Sequence, residues 1–191
     1  MGKLKSYQIT EWSHALFRLQ VKENGFYVDA TMGNGHDTLF LCELSGEQGR
    51  VAAFDIQEAA LKETDRLLRE KGLRERADLY LDSHVNMEKF IEEESVDGMY
   101  FNFGYLPGGD HSLATKPDTS LEAVKKGLTL LKKGGVMALC IYSGGDTGFE
   151  ERDRLLEFLK SLDSRKFLVI LESFYNRKKN PPIPAFIIRH A

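Results

Sequence analysis

The sequence predicts an α/β fold in which a seven-stranded, mostly parallel sheet carries helices on both faces and ends in an antiparallel strand. Three observations predict it. Short apolar runs alternate with helical patterns along nearly the whole chain, which is how parallel crossover units read in one dimension. The first run opens into a glycine turn, and a carboxylate, Asp55, follows about twenty residues beyond Gly35, the spacing of a ribose-binding acid on the neighbouring strand. The last two runs are joined without a helix, and so short a connection cannot make a parallel crossover.

Taken in order, residues 3–22 place Ile9, Trp12, Leu16 and Leu19 at near-helical spacing with Ser6 as a cap. This is a lid or packing helix, and Trp12 and His14 on it read as packing or solvated groups. Residues 26–28 are the first strand, and the helix over 36–44 stops at Gly46. A second strand covers 50–55. A helix over 57–71 turns Leu61, Leu67 and Leu68 inward and stops at Gly72. Strand 78–81 leads into Asp82-Ser83-His84 and a helix over 86–93. Strand 96–103 runs into the loop from Gly104 to Asp110, and a helix over 120–131 closes at Gly134-Gly135. Strand 136–142, helix 149–162 and strand 167–174 follow. The last strand, 185–189, is reached through Pro181-Pro182-Ile183-Pro184. No repeat, linker or low-complexity stretch interrupts the pattern, so residues 1–191 read as one domain.

Composition narrows the classes. A formal net charge of -3 does not advertise a strongly basic nucleic-acid binder, although a local basic face fits within it. The two cysteines, Cys42 and Cys140, lie in apolar runs and read as buried thiols of a reducing cytoplasm. Neither a CxxC pair nor an HExxH string occurs, so no metal is expected. With no signal-peptide pattern and no long apolar span, the expected location is cytoplasmic.

Chemistry concentrates in Asp29-Ala30-Thr31-Met32-Gly33-Asn34-Gly35-His36-Asp37-Thr38. Gly33 and Gly35 let a backbone approach a ligand closely, and the helix after them offers free N–H groups. A dinucleotide fingerprint wants a small residue where Thr38 stands, and Asp29 and Asp37 would repel a pyrophosphate. The same acids suit a cationic nucleoside, S-adenosylmethionine. Asp55, with Gln57 beside it, reads as the acceptor of the ribose hydroxyls; the plainer alternative is a helix-capping carboxylate. Asn34 and Asp37 read as holders of the methionine ammonium, the alternative for Asp37 being a first-turn helix acid. Asp82, Ser83 and His84 follow the third strand, where open α/β sheets bind ligands. Thr31 and Thr38 complete the candidate cofactor set. A nicotinamide-dependent oxidoreductase and a non-catalytic nucleotide-binding module are the competing readings.

The acidic glycine turn, Phe54-Asp55-Ile56-Gln57, Asp82-Ser83-His84 and Phe101-Asn102-Phe103-Gly104-Tyr105-Leu106-Pro107-Gly108-Gly109-Asp110 occur in that order. Together they resemble the YtqB-like, MnmM-type family of class I S-adenosylmethionine-dependent methyltransferases, first labelled rRNA methylases, over nearly the whole chain. The resemblance implies a Rossmann-like fold, S-adenosylmethionine as donor and S-adenosylhomocysteine as product. It also implies methylation of the amine of 5-aminomethyl-2-thiouridine at the tRNA wobble position, with rRNA or small-molecule N-methylation as the alternative. Asn102 then accepts a hydrogen bond from the substrate amine, and Tyr105 stacks on a base or holds that amine. Gly108, Gly109 and Asp110 close over it. Asn176, Arg177, Lys178 and Asn180 face the RNA, with Lys116, Lys125 and Lys126 as further basic groups. The chain departs from the family at Ser143-Gly144-Gly145-Asp146, where a Gly-His pair is expected, and in its more basic run before Pro181. Asp29 and Asp110 are the candidate bases, and the small size of the chain suggests a homodimer.

Overall fold

Successive side chains of a strand point to opposite faces, and here that alternation divides the core in two. The computed structural model describes residues 8–103, 117–143, 148–178 and 180–190. Its elements are α1 (Ile9–Gln20), β1 (Phe26–Asp29), α2 (His36–Ser45), β2 (Arg50–Asp55), α3 (Glu58–Glu70), β3 (Ala77–Leu81), β4 (Val96–Asn102), α4 (Pro117–Leu130), β5 (Leu131–Ile141), α5 (Gly148–Ser161), β6 (Phe167–Leu171) and β7 (Ile183–Arg189). Tyr27, Val51 and Tyr100 pack with Phe17, Leu41 and Leu68 from α1, α2 and α3. Val28, Ala52, Met99 and Phe101 pack on the opposite face with Val124, Leu128, Leu155 and Leu159 from α4 and α5.

The seven strands lie in the order β3-β2-β1-β4-β5-β7-β6. The pairs from β3 through to β5 are parallel. β7 is antiparallel to both β5 and β6, so β6 points the same way as β5. The antiparallel last strand expected from the short connection is present. β1 sits between β2 and β4, where the chain reverses its direction of progress across the sheet, and the loops leaving this point splay apart to form a crevice.

Several boundaries differ from expectation. The helix expected over 86–93 is a short 3₁₀ segment, His84–Lys89, started by the Ser83 hydroxyl accepting from Val85 N and closed by Phe90 N donating to the Met87 carbonyl. Gly134-Gly135 does not precede β5 but lies inside it: Leu131 pairs with Val96 and Val136 with Gly98, a bulge that Gly134 permits with φ 82°. β6 stops at Leu171 instead of Phe174. β7 starts two residues early, at Ile183, because Pro184 still pairs with Cys140 and accepts from Glu172 N. The candidate cap Ser6 lies outside the described residues, and α1 begins at Ile9.

α1 is seated on β4 through a missing side chain. A Cβ on Gly98 would lie 2.6 Å from Phe17 Cζ and 3.1 Å from Tyr27 Cδ1. Gly98→Ala is therefore expected to cost about 1–3 kcal/mol by overpacking, a fall of roughly 2–12 °C in melting temperature for a chain of this size. Differential scanning calorimetry checks it, and an unchanged melting temperature would show that α1 is free to shift.

Candidate active site

The crevice is lined by the carboxyl ends of the strands. Asp29 ends β1, Asp55 ends β2, Leu81 ends β3 and Asn102 ends β4. Between β1 and α2 the chain turns tightly, with Gly33 at φ 52° and Gly35 at φ 80°, and Gly35 N donates to the Met32 carbonyl. Gly35 also permits a close approach: a Cβ there would lie 2.7 Å from Thr64 Oγ1. Thr64 in turn donates to the Gly33 carbonyl at 3.2 Å, so α3 braces the turn.

Asp55 joins the turn to the neighbouring strand. Gly33 N donates to its Oδ2 at 2.9 Å and Gln57 N to its Oδ1 at 2.9 Å. The carboxylate is thus aimed by backbone, with further lone pairs left for a diol. Gln57 precedes α3 as its N-cap residue, so Asp55 orders the approach to the helix and does not cap it. Ile56, which follows this acid, and Leu81, its register partner on β3, are 54 % and 53 % exposed. Large aliphatic side chains held open at adjacent strand tips make a surface for a flat ring. Neither is marked in the sequence, because an apolar residue at a strand end looks like the last core position.

Asp29 and Thr38, expected beside the cofactor, lie beneath the turn. Both are wholly buried, with Thr38 Oγ1 donating to Asp29 Oδ2 at 2.6 Å and Thr31 N to Oδ1 at 3.1 Å. They hold the turn from beneath. Burial, reinforced by the nearby Asp37 charge, pushes Asp29 up to about 7. A carboxyl whose folded pKa is raised contributes stability below its ordinary range that is lost as pH rises through the raised value. Asp29→Asn is accordingly expected to flatten the fall in stability from about pH 4 to pH 8, read from denaturant midpoints across that range. A variant that loses stability with pH as steeply as the parent would remove Asp29 as the cause. Asp29 is also a poor general base, since no surface of it reaches the crevice.

Asp37 is 7 % exposed and lies in the first turn of α2. Its Oδ2 accepts from Asn102 Nδ2 at 3.0 Å, and its Oδ1 is 2.7 Å from His14 Nε2. Asn102 is anchored again where its backbone N donates to Thr31 Oγ1 at 2.7 Å. Among the described residues, Asn102 Oδ1 accepts from no donor. His14, read from sequence as a packing or solvated group, is part of this network. Its ring stacks on Phe40 with centroids 3.7 Å apart and meets the edge of Tyr100 at 5.1 Å.

Across the crevice, Asp82 Oδ1 accepts from Ser83 N and from Asn86 Nδ2, both at 2.7 Å, and the Asn86 bond foremost holds this carboxyl below its usual range. Burial drives the His84 imidazole down to about 4, so it is neutral at physiological pH. Its Nε2 has no partner among the described residues. Asn34 is half-buried at the turn. Tyr105, Gly108, Gly109, Asp110 and the departure at Gly144-Gly145-Asp146 lie outside the described residues, as does Lys116.

The β6–β7 connection carries Asn176, Arg177, Lys178 and Asn180, all exposed. Because β6 is parallel to β5, this connection leaves from the same edge of the sheet as the crevice. Arg177 lies over the Phe174 ring at 4.3 Å. Lys126 is occupied by Glu88, Glu122 and the Val85 carbonyl, and Lys125 sits over Phe158 at 5.4 Å. Both thiols are buried, and burial pushes each up to about 12, as suits inert core cysteines. Among the described residues no three His, Cys, Asp or Glu side chains cluster to hold a metal ion, and no helix is long and apolar enough to cross a membrane.

Acids around a glycine turn, a backbone-aimed carboxylate and open aliphatic groups beside it fit a cationic adenosyl donor. Comparison with known proteins agrees. Residues 51–188 match the family described as "Putative rRNA methylase". The chain is 33 % identical, over 90 % of its length, to the chloroplastic tRNA (mnm(5)s(2)U34)-methyltransferase of Arabidopsis thaliana, and spans 66 % of that relative. A solved structure described as a "putative rRNA-methylase" of Clostridium thermocellum is 45 % identical with a TM-score of 0.92, covering 97 % of this chain and 100 % of its own. A protein of Streptococcus mutans described as "a putative methyltransferase", solved in complex with S-adenosylhomocysteine, is 36 % identical with a TM-score of 0.86, covering 96 % and 99 %.

Proposed function

The chain belongs to the rRNA methylase family of S-adenosylmethionine-dependent methyltransferases, and from that premise we propose that it methylates the amine of 5-aminomethyl-2-thiouridine at the tRNA wobble position, giving 5-methylaminomethyl-2-thiouridine. The observation that carries the choice of substrate is the 33 % identity to the Arabidopsis wobble-uridine methyltransferase over 90 % of this chain. The donor supplies a methyl group already activated on a sulfonium, so the work left to the protein is to hold and aim.

Asp55 takes the ribose hydroxyls, and Ile56 and Leu81 flank the adenine. Asp37 contributes negative charge near the cationic end of the donor. Asn102, with Nδ2 committed to Asp37, presents Oδ1 to the substrate amine and aims the nitrogen lone pair at the methyl. An alkylamine attacks only when neutral, and desolvation in a closed cleft favours that form over the ammonium. The amine nitrogen gains the methyl, the sulfonium takes the C–S electron pair to leave as the thioether, and the extra proton goes to water. Nucleoside mass spectrometry of tRNA from cells with and without the gene tests the reading. Loss of the 5-methylaminomethyl nucleoside with accumulation of its 5-aminomethyl precursor is expected; an unchanged profile would overturn it.

The exposed Arg177 and Lys178 on the crevice edge support RNA contact. Replacing both by alanine is expected to weaken tRNA binding and to lower the slope of log affinity against log salt by about 1–2, as two lost phosphate contacts would. A slope equal to that of the parent would place the RNA elsewhere. A homodimer belongs to the same proposal, supported by Leu168, Ile170 and Leu171 standing exposed on the edge strand β6. Light scattering that returns a monomer at every concentration would remove it.

A further inference from the structure

Three elements distant in sequence meet at one carboxylate. Asp37 Oδ1 lies 2.7 Å from His14 Nε2 of α1, and Asp37 Oδ2 accepts from Asn102 Nδ2 of β4 at 3.0 Å. Asp37 is almost wholly enclosed, so water does not readily replace either partner. The His14 ring is held by a face-to-face stack on Phe40, centroids 3.7 Å apart and planes within 4°, and by the edge of Tyr100. α1 is itself locked in depth by Phe17 over Gly98.

A carboxylate accepts and never donates, so it selects one of the two orientations of a neighbouring amide: nitrogen toward the acid, oxygen away. That selection is only as firm as the acid. A carboxylate tied on one side alone can rotate about its last torsion, which is broad, and the amide rotates with it. His14 supplies the second tie. We propose that His14 is a positioning residue, which through Asp37 fixes the Asn102 amide with its carbonyl oxygen turned to the acceptor amine. The claim rests on the role given to Asn102 above. It makes α1 part of the catalytic apparatus and not only a cover over the sheet.

His14→Phe keeps a flat ring against Phe40 and removes the hydrogen bond. His14→Gln restores a donor of similar reach. In the parent protein, nitrogen–proton spectra should show the Asn102 side-chain amide as two well-separated proton signals, one shifted by its bond to Asp37. His14→Phe should bring them toward the values of a free amide, and His14→Gln should return them. In turnover, His14→Phe should lower kcat by up to about 100-fold, the scale of a slight misplacement of reacting groups. The dissociation constant for S-adenosylhomocysteine, by calorimetry, should stay within about twofold, since the other donor contacts are untouched. Combined with Asn102→Ala, His14→Phe should add no further loss, because both changes break one chain of contacts.

Unchanged Asn102 signals in His14→Phe would overturn the proposal. So would a loss that multiplies with that of Asn102→Ala, a donor-binding loss as large as the loss of kcat, or a His14→Gln variant no better than His14→Phe. Should the parent fail to methylate the 5-aminomethyl nucleoside, the functional reading falls, while the amide spectra, taken without substrate, still decide whether His14 orients Asn102.

Discussion

Asp55→Ala is expected to weaken S-adenosylhomocysteine binding by about 100-fold or more. The size follows from the number of bonds involved. Hydrogen bonds to a charged group are worth about 1.5–3 kcal/mol each, a ribose diol offers two, and roughly 1.4 kcal/mol is tenfold in affinity. The effect is enlarged because the same carboxylate accepts from Gly33 N and Gln57 N. Removing it unties the glycine turn from β2 as well as deleting the ribose contact. Asp55→Asn separates the two contributions, since its amide oxygen replaces only one carboxylate oxygen. Its affinity should lie between those of the parent and the alanine variant. Calorimetric titration checks both. An alanine variant of unaltered affinity would remove Asp55 from the ribose site, and near-ultraviolet circular dichroism shows whether the fold has survived.

Asn102→Ala should give the opposite pattern: kcat lower by about 100-fold, with donor affinity almost unchanged. The residue ends β4 with its backbone N tied to Thr31 Oγ1, so the strand end stays in place when the side chain is cut back. What is lost is the oxygen that aims the amine, an interaction that matters most as the nitrogen approaches the methyl. Truncation also leaves Asp37 Oδ2 without its amide donor, and a modest fall in melting temperature is expected beside the kinetic loss. Single-turnover rates with saturating donor and tRNA measure the chemical step. A variant whose defect lies wholly in the dissociation constant for donor or RNA would show that Asn102 binds and does not aim.

The parts of this site that were legible in sequence are those built over short stretches. Asp29, Gly33 and Gly35 lie within seven residues of one another, and their spacing alone demands strand, tight turn and helix. Asp55 was legible because one helix and one strand of ordinary length carry the chain back beside its start. The short link between β6 and β7 likewise forced the antiparallel pair. Local pattern did not show that Asp29 and Thr38 are buried. An acid and a hydroxyl around a glycine turn look the same in sequence whether they face a ligand or brace the loop from below, and only burial tells them apart.

His14 shows the other limit. It lies 23 residues from Asp37, on a helix whose apolar pattern says only which side packs. A histidine beside such a stripe has no sequence mark that distinguishes a core ring from a hydrogen-bonding partner. The bulge at Gly134 and the 3₁₀ segment after β3 were misread for a related reason. A glycine pair stops an isolated helix, but inside a sheet its register is set by the neighbouring strand, here β4.

The sequence by itself determined the order of strands and helices, the reversal at the last strand, the acidic glycine turn and the family, because each is carried by periodicity or by residues close along the chain. The tertiary structure alone decided which acids face the crevice, which lysines are already paired, and that a helix at the front of the chain reaches the amide at the end of β4. Those outcomes depend on packing between segments tens of residues apart, where one ångström of depth separates a ligand contact from a buried brace.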